Sequence, residues 1–254
     1  KVELNTLFIA IKGDKYDGHE YIDEIIENGC FIFVVEEEPN QRPTGVTFIR
    51  VNDTRIALSI IASNYYDNPS RKLDLIGITG TNGKTTIASL CCELFTQMGY
   101  AAGLLSTVEI KYGKQVIPST HTTPDPIAIN SHLDAMVKLD LDFCFMEVSS
   151  HGIDQGRVHG LHFKGGVFTN LSQDHLDYHK TFAAYRDTKK QFFDLLPKSA
   201  FALVNVDDKN GVFMIQNSNA KITSYALENY ADFNAKILEY EFTGMLLKID
   251  NNEL

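Results

Sequence analysis

No stretch of these 254 residues approaches the roughly 18 to 20 consecutive apolar positions that a helix needs to cross a bilayer. Nor does the chain open on a basic segment followed by a short apolar core, the pattern of an export signal. Proline is scarce, at 7 residues, and there is no low-complexity tract or internal repeat. With 44% hydrophobic and 22% charged residues, the composition excludes disordered, collagen-like and coiled-coil chains and leaves room for two domains. Basic residues are outnumbered, 23 against 33, which gives a net charge of −10 and a pI near 5.2. That balance argues against broad binding to nucleic acid or anionic membranes. Phosphate binding stays open where backbone N–H groups and a few cations act locally. The four cysteines, Cys30, Cys91, Cys92 and Cys144, lack any CxxC or Cys/His ligand spacing and read as buried reduced thiols of a soluble, cytoplasmic protein. Lys1 runs almost at once into a strand, and the last residues follow directly on another. The expectation is a section of a longer protein.

The first 70 residues read as a small α/β unit. Residues 7–11 have the continuous apolar character of a buried strand, repeated at 31–35 and 47–51. Residues 17–28 form a helical pattern with Tyr21, Ile22, Ile25 and Ile26 on one face, closed by Gly29. Asp53 can cap a second helix running to about Tyr66. Asp67-Asn68-Pro69-Ser70 then breaks the pattern, which divides the chain into 1–70 and 71–254.

The second unit opens on a strand at 73–79, a glycine loop and a helix over about 85–98. Strands at 102–106, 143–148, 167–170 and 201–205 alternate with helices near 127–138 and 182–196. Such alternation predicts a mostly parallel, doubly wound α/β sheet. Residues 108–117 read as a hairpin, and the tail from Ile222 as a small all-β appendage.

Gly80-Thr81-Asn82-Gly83-Lys84-Thr85-Thr86 lies between a strand and a helix, the setting a phosphate-binding loop requires. Its glycines let successive N–H groups converge on phosphate oxygens, and the helix N-terminus adds positive charge. Lys84 would reach the β- and γ-phosphates and Thr85 would hold Mg²⁺. The general pattern places a glycine at position 78, which here is Ile78, so the loop is a shortened form. A glycine turn followed by an incidental Lys-Thr is the plainer alternative.

Glu147 is delivered at the carboxyl end of a strand, the edge where open α/β sheets bind ligands. It is either a metal ligand opposite Thr85 or an ordinary solvated carboxylate. Asp174-His175-Leu176-Asp177-Tyr178-His179 would suit a divalent metal, although such turns are common on surfaces. Lys189 falls on the same helical face as Phe182, Tyr185, Phe192, Phe193 and Leu196, while Lys190 and Gln191 point away. An ammonium there must either snorkel to solvent or carry a lowered pKa. In the second case the neutral amine can react with CO₂ to form an anionic carbamate able to bind a second Mg²⁺.

The GTNGKTT loop resembles the ATP loop of the Mur ligases, the ATP-dependent amide-bond ligases of peptidoglycan synthesis, and of their folylpolyglutamate synthetase relatives. Three more stretches narrow the resemblance to the branch that adds the third residue of the stem peptide. They are His121-Thr122-Thr123-Pro124-Asp125, the run from Glu147 through Ser149-Ser150-His151-Gly152 to Gln155-Gly156-Arg157, and residues 170–179 with Tyr185-Arg186-Asp187-Thr188-Lys189. Residues 1–70 are similar to the uridine-binding domain of that branch, chiefly at 7–13 and 17–19. The resemblance implies that residues 80–86 bind ATP, with Lys84 on the phosphates. Thr85, Glu147, His175 and carbamylated Lys189 would bind two Mg²⁺ ions. Thr122, Thr123, Ser149, Gln155 and Arg157, with Asp14, Lys15 and Tyr16 at the uridine turn, would contact UDP-N-acetylmuramoyl-L-alanyl-D-glutamate. The third substrate would be a diamino acid, meso-diaminopimelate in preference to L-lysine, and a monomer without nucleic-acid or membrane partners is expected. The family's Asp-Ser-Arg uridine contact and its C-terminal ligase domain are absent, so this stretch alone is expected to be inactive. The alternatives are a folylpolyglutamate synthetase-like ligase or a binding module without catalysis.

Overall fold

A computed structural model of the chain describes residues 5–13, 16–40, 43–241 and 244–251. Its strands form two sheets. In the first, β1 (Leu7–Ile9) is followed by α1 (Ile22–Glu27), β2 (Ile32–Val35), β3 (Thr47–Arg50) and α2 (Thr54–Tyr65). The three strands pair in parallel in the order β1-β2-β3. The Phe33 ring lies 5.7 Å from Phe8 and 5.4 Å from Phe48, and Ala10, Ile22, Cys30 and Val35 complete the core. The helix expected over 17–28 is split in two. The Asp17 carboxylate accepts from the His19 N–H at 3.0 Å and opens a 3₁₀ turn, Gly18–Tyr21, ahead of α1.

The second part runs through β4 (Asp74–Thr79), α3 (Lys84–Gln97), β5 (Ala102–Leu105), β6 (Glu109–Tyr112), β7 (Gln115–Pro118), α4 (Pro126–Lys138), β8 (Phe143–Glu147), α5 (Ser150–Asp154) and β9 (Gly165–Phe168). It continues with α6 (Leu176–His179), α7 (Phe182–Asp194), β10 (Phe201–Asn205), α8 (Gly211–Met214), β11 (Lys221–Ala226), β12 (Phe233–Glu241) and β13 (Gly244–Asn251). One sheet takes all ten strands, in the order β13-β12-β11-β10-β9-β4-β8-β5-β6-β7. From β12 to β5 the pairing is parallel, and an antiparallel hairpin closes each edge. The tail is therefore not a separate appendage. β11 pairs in parallel with β10, Phe201 opposite Lys221, and carries the same sheet outward. Its crossover contains only the four-residue α8, too short to leave a helical period in the sequence.

Alternation along β4 sends side chains to both faces. Leu75 packs with Ile129, Leu133, Phe192 and Phe193 from α4 and α7, whereas Ile76 and Ile78 pack with Ala88 and Cys92 of α3. Burying each such Leu, Ile or Phe is worth about 1.5–3 kcal/mol, which fixes the register of the central strand. Two buried serines of α2 join the parts: Ser59 Oγ donates to Gly156 O at 2.7 Å and Ser63 Oγ to Gly160 O at 3.2 Å. All four cysteines are free thiols, Cys91 half-buried and the others buried. Among the described residues no helix is long and apolar enough to cross a membrane.

Candidate active site

Between β4 and α3 the chain turns on Gly80, at φ +150°, and Gly83, at φ +84°. A Cβ at position 80 would run into Thr169 Oγ1, so only glycine lets the loop close against the end of β9. There the loop is clamped. Thr81 N donates to Asn170 O at 2.8 Å and Asn82 N to Asn170 Oδ1 at 3.0 Å. Asn82 O accepts from Thr169 Oγ1 at 2.7 Å and from Asn170 Nδ2 at 3.1 Å. Thr85 and Thr86 occupy the first turn of α3, a 14-residue helix whose N-terminus faces the loop. Lys84 folds back, donating from Nζ to Gly80 O at 3.0 Å and Thr81 O at 2.7 Å. Burial pulls its pKa below that of an ordinary lysine, against the upward pull of Glu147 and Asp174.

Lys189 does not snorkel. It is 1% exposed, and its Nζ donates to Gly80 O at 2.9 Å while lying 4.9 Å over the Tyr185 ring. Two lysines thus converge on one carbonyl. Burial, reinforced by the Lys84 charge, brings the Lys189 pKa down to about 7. A large fraction of the side chain is then a neutral amine near neutral pH. Lys190, expected to point to solvent, is also buried, because α8 lays Phe213 over it and Asp194 pairs with its Nζ at 2.7 Å.

Glu147 is fully buried rather than solvated. Thr107 holds both of its carboxylate oxygens, donating through N–H at 2.7 Å and Oγ1 at 3.1 Å, which leaves Thr107 Oγ1 to accept from Thr122 Oγ1 at 3.1 Å. Thr107 escaped the sequence reading because nothing local ties it to a carboxylate 40 positions away. His175 begins α6 in a left-handed conformation, φ +51°, with its ring 4.9 Å from that of His151. The cluster at 174–179 does not converge as a ligand set. Among the described residues no three His, Cys, Asp or Glu side chains are placed to hold a metal. His179 turns inward instead, 7% exposed, against Tyr185.

A cavity of about 390 Å³ brings most of the singled-out residues together. Lys84, His175 and Lys189 line one part, and Thr122, Thr123, Ser149, Gln155 and Arg157 another. Thr123 and Ser149 are spent largely on each other: their hydroxyls are 3.0 Å apart, and Thr123 Oγ1 donates to Glu147 O at 3.0 Å while accepting from Ser149 N at 2.9 Å. Arg157 is steered by Thr123 O at 2.6 Å and by Gln155 Oε1, which takes both Nε and Nη2. Gln155 and Arg157 also line a second cavity of about 340 Å³, together with Arg55, Leu58, Ile11 and Gly13 of the first part. The two cavities share His121, Gln155 and Arg157 and so adjoin, together making a groove from Lys84 of the glycine loop to Ile11 and Gly13 just after β1. Tyr16 is 70% exposed and outside both linings, and Asp14 and Lys15 lie outside the described residues. A further, apolar cavity of about 260 Å³, unmarked by any sequence motif, lies at the carboxyl ends of β10 and β11, lined by Asn205, Asp207, Tyr225 and Phe233.

Sheet and loop define an α/β protein of the doubly wound class, with a glycine loop between its central strand and the following helix. More narrowly, the chain belongs to the Mur ligase family, whose middle-domain model matches residues 78–254 and whose catalytic-domain model matches residues 1–66. It is 50% identical over 253 residues to the UDP-N-acetylmuramoyl-L-alanyl-D-glutamate--2,6-diaminopimelate ligase of Phocaeicola vulgatus, a match covering 100% of this chain and 52% of the relative. A solved structure of a protein with that activity in its name superposes with a TM-score of 0.83 at 29% identity, covering 98% of this chain and 51% of the other. A Mycobacterium tuberculosis folylpolyglutamate synthase, solved with ADP and AMPPCP, gives a TM-score of 0.60 at 17% identity over 77% of this chain and 51% of its own, a likeness of fold alone. The chain spans about half the length of the curated relatives it matches.

Proposed function

We propose that this chain supplies the nucleotide site and the sugar-nucleotide groove of an ATP-dependent ligase that joins a diamino acid to UDP-N-acetylmuramoyl-L-alanyl-D-glutamate. Residues 1–70 would form the uridine-side domain and 71–254 the ATP-side domain of a monomer acting in the cytoplasm. The observation that carries the reading is the groove itself, which runs from the glycine loop past Gln155 and Arg157 to the smaller sheet. It suits a substrate with a nucleotide at one end and a reacting carboxylate at the other. The names of the relatives favour 2,6-diaminopimelate, taken as the meso isomer, over L-lysine as the added residue.

The reaction joins two anions before it forms the amide. The D-glutamate carboxylate attacks the γ-phosphate of ATP, releasing ADP and giving an acyl phosphate; the amine of the diamino acid then attacks the acyl carbon, loses a proton and displaces inorganic phosphate. Lys84 must leave Gly80 O and Thr81 O to meet the phosphates, and the backbone N–H groups of residues 80–86 cradle them. Arg157 and Gln155, already locked to each other, hold the substrate in line, while Thr123 and Ser149 keep the wall behind them rigid. Asn205, Tyr225 and Phe233 offer a flat apolar pocket for the adenine on the same sheet edge. The donor set suits Mg²⁺: Thr85, Glu147, His175 and Lys189 as its carbamate would hold two ions, which when bound supply charge neutralisation around the phosphates. The buried, low-pKa amine of Lys189 is what carbamate formation needs, since only the free amine attacks CO₂ and sheds a proton.

The test incubates the full-length protein with the UDP-dipeptide, ATP, Mg²⁺ and equal amounts of meso-diaminopimelate and L-lysine. Mass spectrometry of the product identifies the added residue. A meso-diaminopimelate tripeptide is expected. Binding of ATP and the UDP substrate without any tripeptide would reduce the groove to a binding site and overturn the ligase reading.

A further inference from the structure

Tyr185 touches several parts of the site, and none of the chemistry above uses it. It lies in α7, one turn before Lys189, and is fully buried. Its hydroxyl is 3.1 Å from Thr81 Oγ1 in the glycine loop. Its ring supports Lys189 Nζ at 4.9 Å and lies 5.3 Å from the ring of His179 and 6.2 Å from that of His175. Counting protons fixes the direction of the hydroxyl contact. Thr81 Oγ1 accepts from Ser172 N at 3.0 Å and directs its single proton to Ser172 O at 3.2 Å. The phenol is therefore the donor to Thr81. Burial pushes the Tyr185 pKa up, so that proton stays in place through the neutral range. A phenylalanine would fill nearly the same volume without the cost of a buried hydroxyl, so packing alone does not account for a tyrosine here.

We propose that Tyr185 is a positioning residue. Through Thr81 it fixes the glycine loop against α7, so that bound phosphates and Lys189 keep one spacing after Lys189 has left the Gly80 carbonyl. The inference rests on residues 80–86 being the nucleotide loop, and its test separates the two. Mg·ADP is titrated into the full-length protein as wild type, Tyr185→Phe, Thr81→Val, the double variant and Thr81→Ser, with a thermal melt of each. Tyr185→Phe is expected to stay folded and to bind Mg·ADP about 5- to 10-fold more weakly, the worth of one hydrogen bond. The double variant should bind no more weakly than Thr81→Val, because both changes remove the same bond, and Thr81→Ser, which keeps the hydroxyl, should recover most of the affinity that Thr81→Val loses. Amide exchange across residues 80–86 should quicken in Tyr185→Phe. Wild-type affinity in Tyr185→Phe, with or without a lower melting temperature, would reduce the tyrosine to a packing residue. Losses that multiply in the double variant would also overturn the proposal. No Mg·ADP binding by the wild type would overturn the loop reading, and this inference with it.

Discussion

The glycine loop and the turn at residues 12–17 stand at opposite ends of one groove and are built in opposite ways. The loop hangs from the central strand of a ten-stranded sheet, and Thr169, Asn170, Tyr185 and Lys189 grip it from two directions. The turn, as far as it is described, is held mainly by its own backbone, with Gly13 N donating to Tyr16 O and Gly18 N to Ile11 O, both at 2.9 Å, and by an outside side chain, Arg55, whose Nη2 donates to Lys12 O at 2.9 Å, while the Tyr16 side chain stands in solvent. Charge that must be met within a fraction of an ångström calls for a scaffold that cannot yield. The grip on a sugar nucleotide proposed for the other end tolerates a surface turn.

Four substitutions would break or sharpen that contrast. Gly80→Ala drives a methyl into Thr169 Oγ1 at φ +150° and should cost about 2–4 kcal/mol by denaturant unfolding, with loss of Mg·ADP binding. A change under about 0.5 kcal/mol would mean the loop is no stiffer than the turn. Next, Ser59→Leu forces bulk between α2 and Gly156, at about 1–3 kcal/mol. Calorimetry should then resolve separate melting of the smaller part while Mg·ADP still binds, and a single unshifted transition would contradict the idea that this contact couples the parts. Lys189→Met probes the site by pH. The folded pKa near 7 lies below the unfolded value of about 10.4, so between them the unfolded chain holds the extra proton and the wild type gains stability as pH rises. In CO₂-free buffer the advantage of Lys189→Met should be full below pH 7 and shrink by about 1 kcal/mol per pH unit from about pH 8 to 9. A pH-independent difference would show that the lysine is not held as described. The smallest effect belongs to Tyr16→Ala, whose stability should match the wild type within about 0.5 kcal/mol.

What was legible in the sequence was what short-range pattern encodes. The parallel sheet followed from apolar runs alternating with helical periods, the glycine loop from its strand–helix setting, and the anomaly of Lys189 from its place in an apolar stripe. What stayed hidden depends on partners distant in the chain. Thr107 reaches Glu147 from β5's far end, Asn170 reaches back to Asn82, and α8 covers Lys190 after a turn that looked like plain loop. The stripe that exposed Lys189 also contained Tyr185, read only as an apolar body. Its hydroxyl acquires meaning once Thr81 is known to lie above it.

The place of β4 in the middle of the sheet also bears on how the protein is made. Ile76 pairs with Phe145 on one side and Gly165 on the other, residues that leave the ribosome about 70 and 90 positions later. At synthesis rates of about 5–20 residues per second, the strand that will carry the glycine loop waits roughly 4–20 s for its neighbours. Ile76 and Ile78 can meet Ala88 and Cys92 of α3 early, but Leu75 lacks Phe192 and Phe193 of α7 throughout that interval, so it is the α7-facing side of the strand that needs shelter while it waits.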